Sequence, residues 1–234
     1  MDSVLVTGAS RGLGAAIAER LAADGLHVIA VARKVKETSA TDRVTPVAFD
    51  LADTAAIPDF VRSLRQRFGP IYGLVNNAGL GTEGLLANMP DSDIEALIRL
   101  NTLSPIILSK YVVRGMMSQS RGRVVNIASI VATTGFNGLA AYAATKASLV
   151  GFTRSLAREV GRVGVTVNAI APGFIDTEMT RGLPEKERER IVARSALRRL
   201  AEPSDVAAMA SYLIGEAGRN ISGAVLTVDA GGTA

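Results

Sequence analysis

The fold is decided by one stretch near the start of the chain, Val4-Leu5-Val6-Thr7-Gly8-Ala9-Ser10-Arg11-Gly12-Leu13-Gly14. Its first four residues are apolar or β-branched, which is typical of a buried strand. Three glycines follow in the spacing G-x-x-x-G-x-G, and residues 15–23 are predicted to be helical. A glycine turn between a strand and a helix can hold the pyrophosphate of a dinucleotide, because the helix N-terminus offers unpaired N–H groups and a positive dipole end. A structural turn without a ligand is the alternative.

Predicted strands and helices alternate along the whole chain without a change in composition. The strands are predicted at residues 3–7, 26–31, 44–48, 71–75, 122–127, 164–170 and 224–228, and the helices at 12–24, 54–68, 91–117, 139–162, 184–197 and 203–216. This alternation is typical of a parallel sheet covered by helices on both faces. We therefore expect a single α/β domain of the doubly wound Rossmann type over residues 1–234. The connection from Ala32 to Arg43 is too short for a full helix, so the sheet edge there should be thin.

The composition excludes several kinds of site. The chain has no cysteine and a single histidine, His27, which lies in an apolar stretch. Disulfides and thiol catalysis are thereby excluded, and a Ser-His-Asp triad or a histidine-rich metal site has no support, so we expect no metal. The net charge of +4 comes from arginines that are spread among acidic residues, which argues against nucleic-acid binding. A modest positive charge suits an anionic cofactor or an acidic carrier protein.

The hydropathy of the chain predicts a soluble, cytoplasmic protein. The first predicted strand begins by residue 4, which leaves no room for a signal peptide. No uncharged apolar run reaches the roughly 18 residues that a membrane-spanning helix needs.

Three residues in the second half of the chain predict proton-transfer chemistry. Tyr142 and Lys146 are four residues apart on a predicted helix and therefore share one face. A free tyrosine has a pKa of about 10, and a neighbouring ammonium group lowers it, which makes the phenol a useful general acid or base. Ser129, thirteen residues before Tyr142, would be the neutral hydroxyl that holds a substrate oxygen. The Tyr-x-x-x-Lys spacing alone also occurs on surface helices without function.

Taken together, these motifs resemble those of the short-chain dehydrogenase/reductases in order and spacing. The shared residues are Thr7 to Gly14, Asn76-Asn77-Ala78-Gly79, Asn101, Ser129, Tyr142-x-x-x-Lys146 and Pro172-Gly173. A closer likeness is to bacterial 3-oxoacyl-acyl-carrier-protein reductases, in Tyr142-Ala-Ala-Thr-Lys-Ala147, Ser155-Leu-Ala-Arg-Glu-Val160 and Ala171-Pro-Gly-Phe-Ile-Asp-Thr177. The resemblance implies one sheet of seven parallel strands in the order 3-2-1-4-5-6-7. It also implies an oxidoreductase that reduces a 3-oxoacyl thioester with NADPH in fatty-acid or related biosynthesis.

The resemblance assigns roles to four catalytic residues. Ser129 and Tyr142 would bind the substrate carbonyl, and Tyr142 would donate the proton. Lys146 would contact the nicotinamide ribose and lower the pKa of Tyr142. Asn101 would kink its helix and hold a water that relays protons to the lysine, although a buried polar residue without this role is the alternative.

Charge at the end of the second strand predicts NADPH as the cofactor. An acidic residue there would bind the ribose 2′-hydroxyl of NAD and repel a 2′-phosphate. This chain instead has Arg33 at that place and Arg11 in the glycine turn, and guanidinium groups pair well with phosphate. Both could equally be ordinary surface arginines. The other expected cofactor contacts are Gly8, Ser10, Gly12, Leu13, Gly14, Asp50, Leu51, Asn77, Ala78, Gly79, Tyr142, Lys146, Pro172, Gly173, Ile175 and Thr177.

Several of these contacts have specific expected partners. Asp50 resembles the family's acceptor for the adenine amine, with Leu51 packing beside the ring, although a helix N-cap is the competing interpretation of Asp50. Asn77 is expected to hold the strand ends and the ribose. Ile175 and Thr177 resemble contacts to the nicotinamide carboxamide.

Substrate choice is expected to depend on residues 80–90, 131–139 and 178–200. The last of these is predicted to be a small mobile lid, with a solvated charged helix as the alternative. In the family, arginines beside the active-site mouth bind the carrier protein; two such positions are Ser120 and Val163 here, so the candidates are their neighbours Arg121, Arg123 and Arg162. A reductase or dehydrogenase for a free small-molecule ketone or secondary alcohol is the main alternative, and a non-catalytic NADPH-binding regulator is a weaker one.

The apolar surface of two helices predicts an oligomer. Helices 91–117 and 139–162 carry more small and apolar residues than one sheet-facing stripe needs. In the family such helices form a dimer interface, and the C-terminal strand around Leu226 forms a second. We therefore expect a homotetramer or a homodimer, with complete burial inside one chain as the alternative.

Overall fold

A seven-stranded parallel sheet forms the centre of the molecule. The computed structural model describes residues 1–35, 42–175 and 185–234. The strands are β1 (Ser3–Thr7), β2 (His27–Ala32), β3 (Val44–Ala48), β4 (Ile71–Asn76), β5 (Gly122–Ile127), β6 (Val165–Pro172) and β7 (Val225–Val228). Their order is β3-β2-β1-β4-β5-β6-β7, with every neighbouring pair parallel, which confirms the predicted sheet and strand order.

Helices cover both faces of this sheet. They are α1 (Gly12–Ala23), α2 (Ile57–Phe68), α3 (Asp91–Ile98), α4 (Ser104–Ser118), α5 (Val131–Thr134), α6 (Ala140–Val160), α7 (Glu185–Arg194) and α8 (Pro203–Ile214). Val4 and Val6 pack in the core with α1 and α8, whereas Leu5 packs in the core with α2 and α4. Because both faces of β1 are buried, its sequence is continuously apolar rather than alternating. Complete burial of a side chain such as Leu5 contributes about 2 kcal/mol to the free energy of folding.

The predicted helix 91–117 is interrupted. Residues Arg99–Leu103 form a π-helical segment between α3 and α4. The Ser104 hydroxyl lies within hydrogen-bonding distance of two carbonyl oxygens, Leu51 O at 2.6 Å and Arg99 O at 2.7 Å. Such π segments insert one residue into a turn and are frequent at functional sites. Asn101, where the resemblance implied a kink, lies in this segment and is buried.

The continuous helical segment Asp91–Ser118 is long and apolar enough to span a membrane by length and composition alone. In the fold, however, Leu108, Val112 and Met116 on α4 pack in the core beneath the sheet. A core helix of a soluble domain passes the same test, so the segment gives no reason to expect a membrane span.

Other helix bounds differ from prediction in ways that side chains explain. The second helix was predicted from residue 54, but α2 begins at Ile57, because Asp50 and Asp53 first accept backbone N–H groups of Ala52 and Ala56 in turns. The N-cap interpretation of Asp50 is therefore wrong. The last helix ends at Ile214 rather than 216. The predicted connection 32–43 lies partly outside the described residues.

His27 has the structural role that its position indicates. It begins β2, its Nδ1 is 3.2 Å from Ser3 Oγ, and its Nε2 is 3.0 Å from Thr45 Oγ1. The ring therefore links three neighbouring strands at the edge of the sheet where they begin.

Candidate active site

The glycine turn packs directly against the end of β4. A Cβ atom on Gly8 would lie 2.9 Å from Ala78 Cα, and one on Gly14 would lie 2.3 Å from Gly8 O, so neither residue tolerates a side chain. Gly12 has open space around it, but its φ of +55° lies in the left-handed region that favours glycine. No side chain caps the N-terminus of α1, so its first N–H groups are left for another acceptor. This cradle fits a pyrophosphate.

A cluster of hydrogen bonds ties the ends of β1 and β4 together. Thr7 Oγ1 donates to Val75 O and accepts the backbone N–H groups of Asn77 at 2.9 Å and Ala78 at 3.0 Å. The Asn77 side chain donates to Thr7 O and Gly8 O. The expectation that Asn77 holds the strand ends is confirmed. Thr7 was missed as a site residue, although a threonine directly before the glycine turn was the available signal.

The predicted NADPH-selecting arginines both lie at the carboxyl edge of the sheet. Arg33 directly follows β2 and Arg11 directly precedes α1, and both are exposed. Asp50 is exposed as well, whereas Leu51 is only 6% exposed and belongs to the core. Little of the Leu51 side chain is therefore left to contact an adenine ring.

Lys146 is buried with an unusual partner. Its side chain is 5% exposed, and Nζ donates to Ile127 O at 2.8 Å. Burial lowers the pKa of Lys146 to about 8. Gly79 explains the close packing here, since a Cβ atom on it would lie 3.2 Å from Asn101 Oδ1 and 3.6 Å from Lys146 Nζ.

The structure brings Tyr142 and Ser129 together, but the electrostatics of the tyrosine differ from expectation. Burial raises the pKa of Tyr142, and a hydrogen bond with the Ser129 side chain opposes this rise. Lys146 Nζ lies 5.7 Å from the centroid of the Tyr142 ring and is directed to Ile127 O instead. The prediction that Lys146 lowers the pKa of Tyr142 is therefore wrong in this structure, because desolvation of the phenol dominates.

Asn101 connects the π-helical segment to α6. Its side chain exchanges two hydrogen bonds of 2.8 Å with the backbone of Leu80 and donates a third, of 3.1 Å, to Thr145 Oγ1. Thr145 Oγ1 in turn donates to Tyr142 O at 2.7 Å. Both amide N–H groups of Asn101 are thus used by protein partners. A water held by Asn101 would have to contact its remaining oxygen lone pair or its backbone carbonyl.

Thr145 is the second site residue that sequence reasoning missed. It is 2% exposed and lies between Asn101 and the backbone of Tyr142. The only signal was a threonine within the Tyr-x-x-x-Lys turn, and threonine in a helix commonly bonds to the preceding turn without further meaning.

The loop after β6 contacts the loop after β5. Pro172 O accepts the N–H of Ile130 at 3.0 Å, and a Cβ atom on Gly173 would lie 2.5 Å from Asp229 Cβ. Ile175 is 7% exposed and pairs with Ala201 in an isolated bridge. Thr177 lies outside the described residues, as does the start of the predicted lid 178–200. The described part of the lid includes α7, which has no buried residue.

The prediction that Arg121, Arg123 and Arg162 lie beside the active-site mouth is wrong for a single chain. Arg121 and Arg123 lie where β5 begins, whereas Ser129 lies beyond its end, and Arg162 follows the far end of α6. The 21 residues of α6 span about 30 Å. Arg121 pairs with Asp2 at 2.6 Å, and Arg123 lies 3.8 Å from Glu216 with its side chain 8% exposed. These arginines therefore lie at the sheet edge opposite Ser129 and Tyr142.

Comparison with known proteins adds a family assignment to this geometry. Residues 2–188 match the family model described as short chain dehydrogenase. The chain is 41% identical over 232 residues to 3-oxoacyl-[acyl-carrier-protein] reductase FabG of Escherichia coli, with 97% of this chain and 95% of that protein covered. It is 38% identical over 229 residues to 3-oxoacyl-[acyl-carrier-protein] reductase MabA of Mycobacterium bovis, covering 98% of this chain and 92% of that protein.

Solved structures with the same fold include two that are similar over almost the whole chain. A putative gluconate dehydrogenase from Agrobacterium tumefaciens superposes with a TM-score of 0.93 at 26% identity, over 98% of this chain and 95% of that one. ElxO with NADP bound superposes with a TM-score of 0.92 at 28% identity, over 98% of both chains. Within the described residues, no group of three or more His, Asp or Glu side chains could hold a metal ion.

Proposed function

The chain belongs to the short-chain dehydrogenase family, and on that basis we propose that it uses NADPH to reduce the ketone of a 3-oxoacyl thioester carried on acyl-carrier protein. The family match and the similarity to the two reductases confirm the resemblance that the motifs indicated. They also confirm the predicted class of enzyme, an oxidoreductase that acts on CH–OH and C=O groups. The proposed pathway is fatty-acid or related acyl-chain biosynthesis.

The observation that carries this proposal is the meeting of four polar side chains at the carboxyl edge of the sheet. Ser129 follows β5, Tyr142 and Lys146 lie on α6, and Asn101 reaches α6 from the π-helical segment. They meet in the crevice where open α/β sheets bind their ligands. A nicotinamide bound there would supply a hydride, and side chains of this site would bind the substrate carbonyl, orient the cofactor and supply the proton.

Each residue has a role that its surroundings support. The Ser129 and Tyr142 hydroxyls would donate hydrogen bonds to the substrate carbonyl oxygen and stabilise the developing alkoxide. Because burial raises its pKa, Tyr142 keeps its proton at neutral pH and can transfer it to that oxygen. Lys146, held by Ile127 O, would orient the nicotinamide ribose. Asn101 would hold Thr145 and through it the first turn of α6.

The preference for NADPH rests on charge. The exposed Arg11 and Arg33 lie near the carboxyl ends of β1 and β2, and the position directly after β2 holds Arg33 rather than an acidic residue. A similar structure with NADP bound supports the same cofactor. The cradle of Gly8, Gly12 and Gly14 would receive the pyrophosphate at the start of α1.

A free small-molecule ketone or secondary alcohol is the second candidate substrate. Its support is specific: Arg121 and Arg162 lie at the far edge of the sheet, so within one chain they cannot form a carrier-binding patch beside Tyr142. Another support is the close similarity in fold to a putative gluconate dehydrogenase.

Steady-state NADPH oxidation would test the proposal. We expect acetoacetyl-acyl-carrier protein and acetoacetyl-coenzyme A to be reduced with a much higher kcat/KM than a panel of simple ketones and sugar acids. A preference for carrier over coenzyme A would support the carrier as the partner. Turnover of the free ketones alone would establish the second candidate instead.

We also propose a cytoplasmic homotetramer or homodimer. Ile98 and Leu103 are 49% and 40% exposed along the α3–α4 segment, and Ala144, Ala147 and Gly151 are exposed on α6. An apolar surface of this kind on two neighbouring helices suits a second copy. Light scattering at micromolar concentration would test this, and a monomeric mass would refute it.

A further inference from the structure

The segment between the two substrate-binding hydroxyls carries an exposed aromatic side chain. Residues 130–141 connect Ser129 to Tyr142, and they contain α5 and a turn in which Leu139 donates its N–H to Phe136 O. Gly135, with a φ of +69°, ends α5 and turns the chain directly before Phe136. The Phe136 side chain is 43% exposed. It therefore lies on the loop whose two ends hold the catalytic groups.

Two neighbouring loops extend this surface. The Phe136 ring contacts the Phe174 ring edge to face at 5.7 Å, and Phe174 follows the Pro172-Gly173 turn. On another side, Gly84 donates its N–H to Gly138 O at 2.9 Å, which ties the loop after β4 to the loop after β5. The loop after β4 carries Leu85 and Leu86, which are 58% and 55% exposed.

The parts of the two loops that are tied together carry no charge, although the exposed Glu83 directly precedes Gly84. Residues 84–90 and 130–140 contain no acidic or basic side chain, although charged residues make up 21% of the chain. Three large apolar side chains exposed on adjoining loops beside a catalytic site mark a binding surface rather than an ordinary solvated loop. An uncharged, apolar ligand fits such a surface better than a sugar acid or a phosphorylated metabolite does.

We propose that Phe136, with Leu85 and Leu86, forms an apolar wall that receives the acyl chain of the substrate beyond its first four carbons. This inference rests on the proposed function, because it assumes a 3-oxoacyl thioester whose carbonyl is held by Ser129 and Tyr142. Phe136 is then a specificity-determining residue: it selects chain length and takes no part in the proton transfer.

The test compares two thioesters of N-acetylcysteamine, one with a four-carbon and one with a ten-carbon 3-oxoacyl group. Phe136→Ala should lower kcat/KM for the ten-carbon substrate by about tenfold, mainly through KM, because an apolar contact of this size is lost. The four-carbon substrate should change by less than about twofold. Phe136→Leu should keep most of the activity on the longer chain, since it keeps an apolar surface.

A matched control distinguishes the wall from apolar exposure in general. Met117 is 40% exposed near the end of α4, at the sheet edge opposite the catalytic residues, so Met117→Ala should leave both substrates unchanged. The NADPH dissociation constant of each variant reports whether the cofactor site remains intact.

Three outcomes would overturn the inference and leave the proposed function standing. Equal losses on both substrates would mean that Phe136 supports the geometry of Ser129 and Tyr142. An unchanged chain-length preference would show that no wall exists. A smaller mass of Phe136→Ala in light scattering would show that Phe136 lies between copies of the chain. If the unaltered protein reduces neither thioester but turns over another ketone, the proposed function itself fails, together with the wall.

Discussion

Replacing Thr145 by valine should separate catalytic positioning from simple stability. The change keeps the shape of the side chain but removes the hydroxyl that accepts a hydrogen bond from Asn101 and donates one to Tyr142 O. Thr145 is 2% exposed and Asn101 1%, so one N–H of the Asn101 amide is left buried without a partner. An unsatisfied buried group costs about 1–3 kcal/mol. For a chain of this size, each kcal/mol lowers the midpoint of thermal unfolding by about 2–4 °C.

The same helix contains a matched control. Thr153 is also fully buried on α6, and it accepts a hydrogen bond of 2.8 Å from the side chain of Asn126, just as Thr145 does from Asn101. Thr153→Val should therefore lower the unfolding midpoint by a similar amount. It lies eleven residues beyond Tyr142, and it bonds to β5 rather than to the π-helical segment.

The two variants should differ in turnover. We expect Thr145→Val to lower kcat about tenfold, because the first turn of α6 loses its link to Asn101, while NADPH affinity stays nearly constant. We expect Thr153→Val to keep kcat within about twofold. The measurements are thermal unfolding followed by circular dichroism and steady-state NADPH oxidation. Equal effects of the two variants on kcat would refute the positioning role of Thr145.

Three further predictions concern the site. Tyr142→Phe should abolish turnover while leaving NADPH binding, measured by fluorescence, nearly unchanged; residual activity above a few per cent of the original would remove Tyr142 from its role as proton donor. Arg33→Asp should shift the preference from NADPH towards NADH, because it replaces attraction for the 2′-phosphate by repulsion, and an unchanged ratio of the two kcat/KM values would contradict the charge argument. The third concerns the dependence of stability on pH. The pKa of Lys146 is about 8 in the folded chain, below its ordinary value of 10.5. Between these two values the unfolded chain binds more protons than the folded chain, so the free energy of unfolding rises with pH. Relative to Lys146→Met, the native protein should gain thermal stability from pH 8 to pH 10, and parallel curves for the two proteins would count against the buried lysine.

The sheet could be predicted from the sequence because its signals are local and repeated. Each buried strand is a short apolar run, and alternation with helices leaves few possible topologies. The family motif implied that Ser129 and Tyr142 belong to one site, and the structure places them in contact. The resemblance implied a kink at Asn101, but its π-helical form could not be predicted, because it depends on where Leu80 and Thr145 place hydrogen-bonding groups for Asn101, and those contacts link distant parts of the chain.

Two errors have a common physical origin. Arg121 was predicted to lie beside the active-site mouth because it neighbours a family position counted from Ser129, but the strand between them is extended, and six residues of β5 carry the chain across the sheet. The pKa of Tyr142 was predicted from the charge of Lys146 alone, whereas burial of the phenol has the larger effect. In both cases spacing along the chain shows which groups are near neighbours, but it does not show depth or direction.

The anchoring of the first residues bears on how the protein can be attached to a surface. Asp2 is held twice, by its side chain to Arg121 and by its carbonyl to the N–H of His27, while Met1 is 83% exposed. This end of the chain lies where β1 starts, and the hydroxyls proposed to bind the substrate lie beyond the opposite ends of the strands. A tether or bulky fusion joined before Met1 would therefore leave the crevice facing the solution. An immobilised preparation oriented in this way should keep open access for a large substrate.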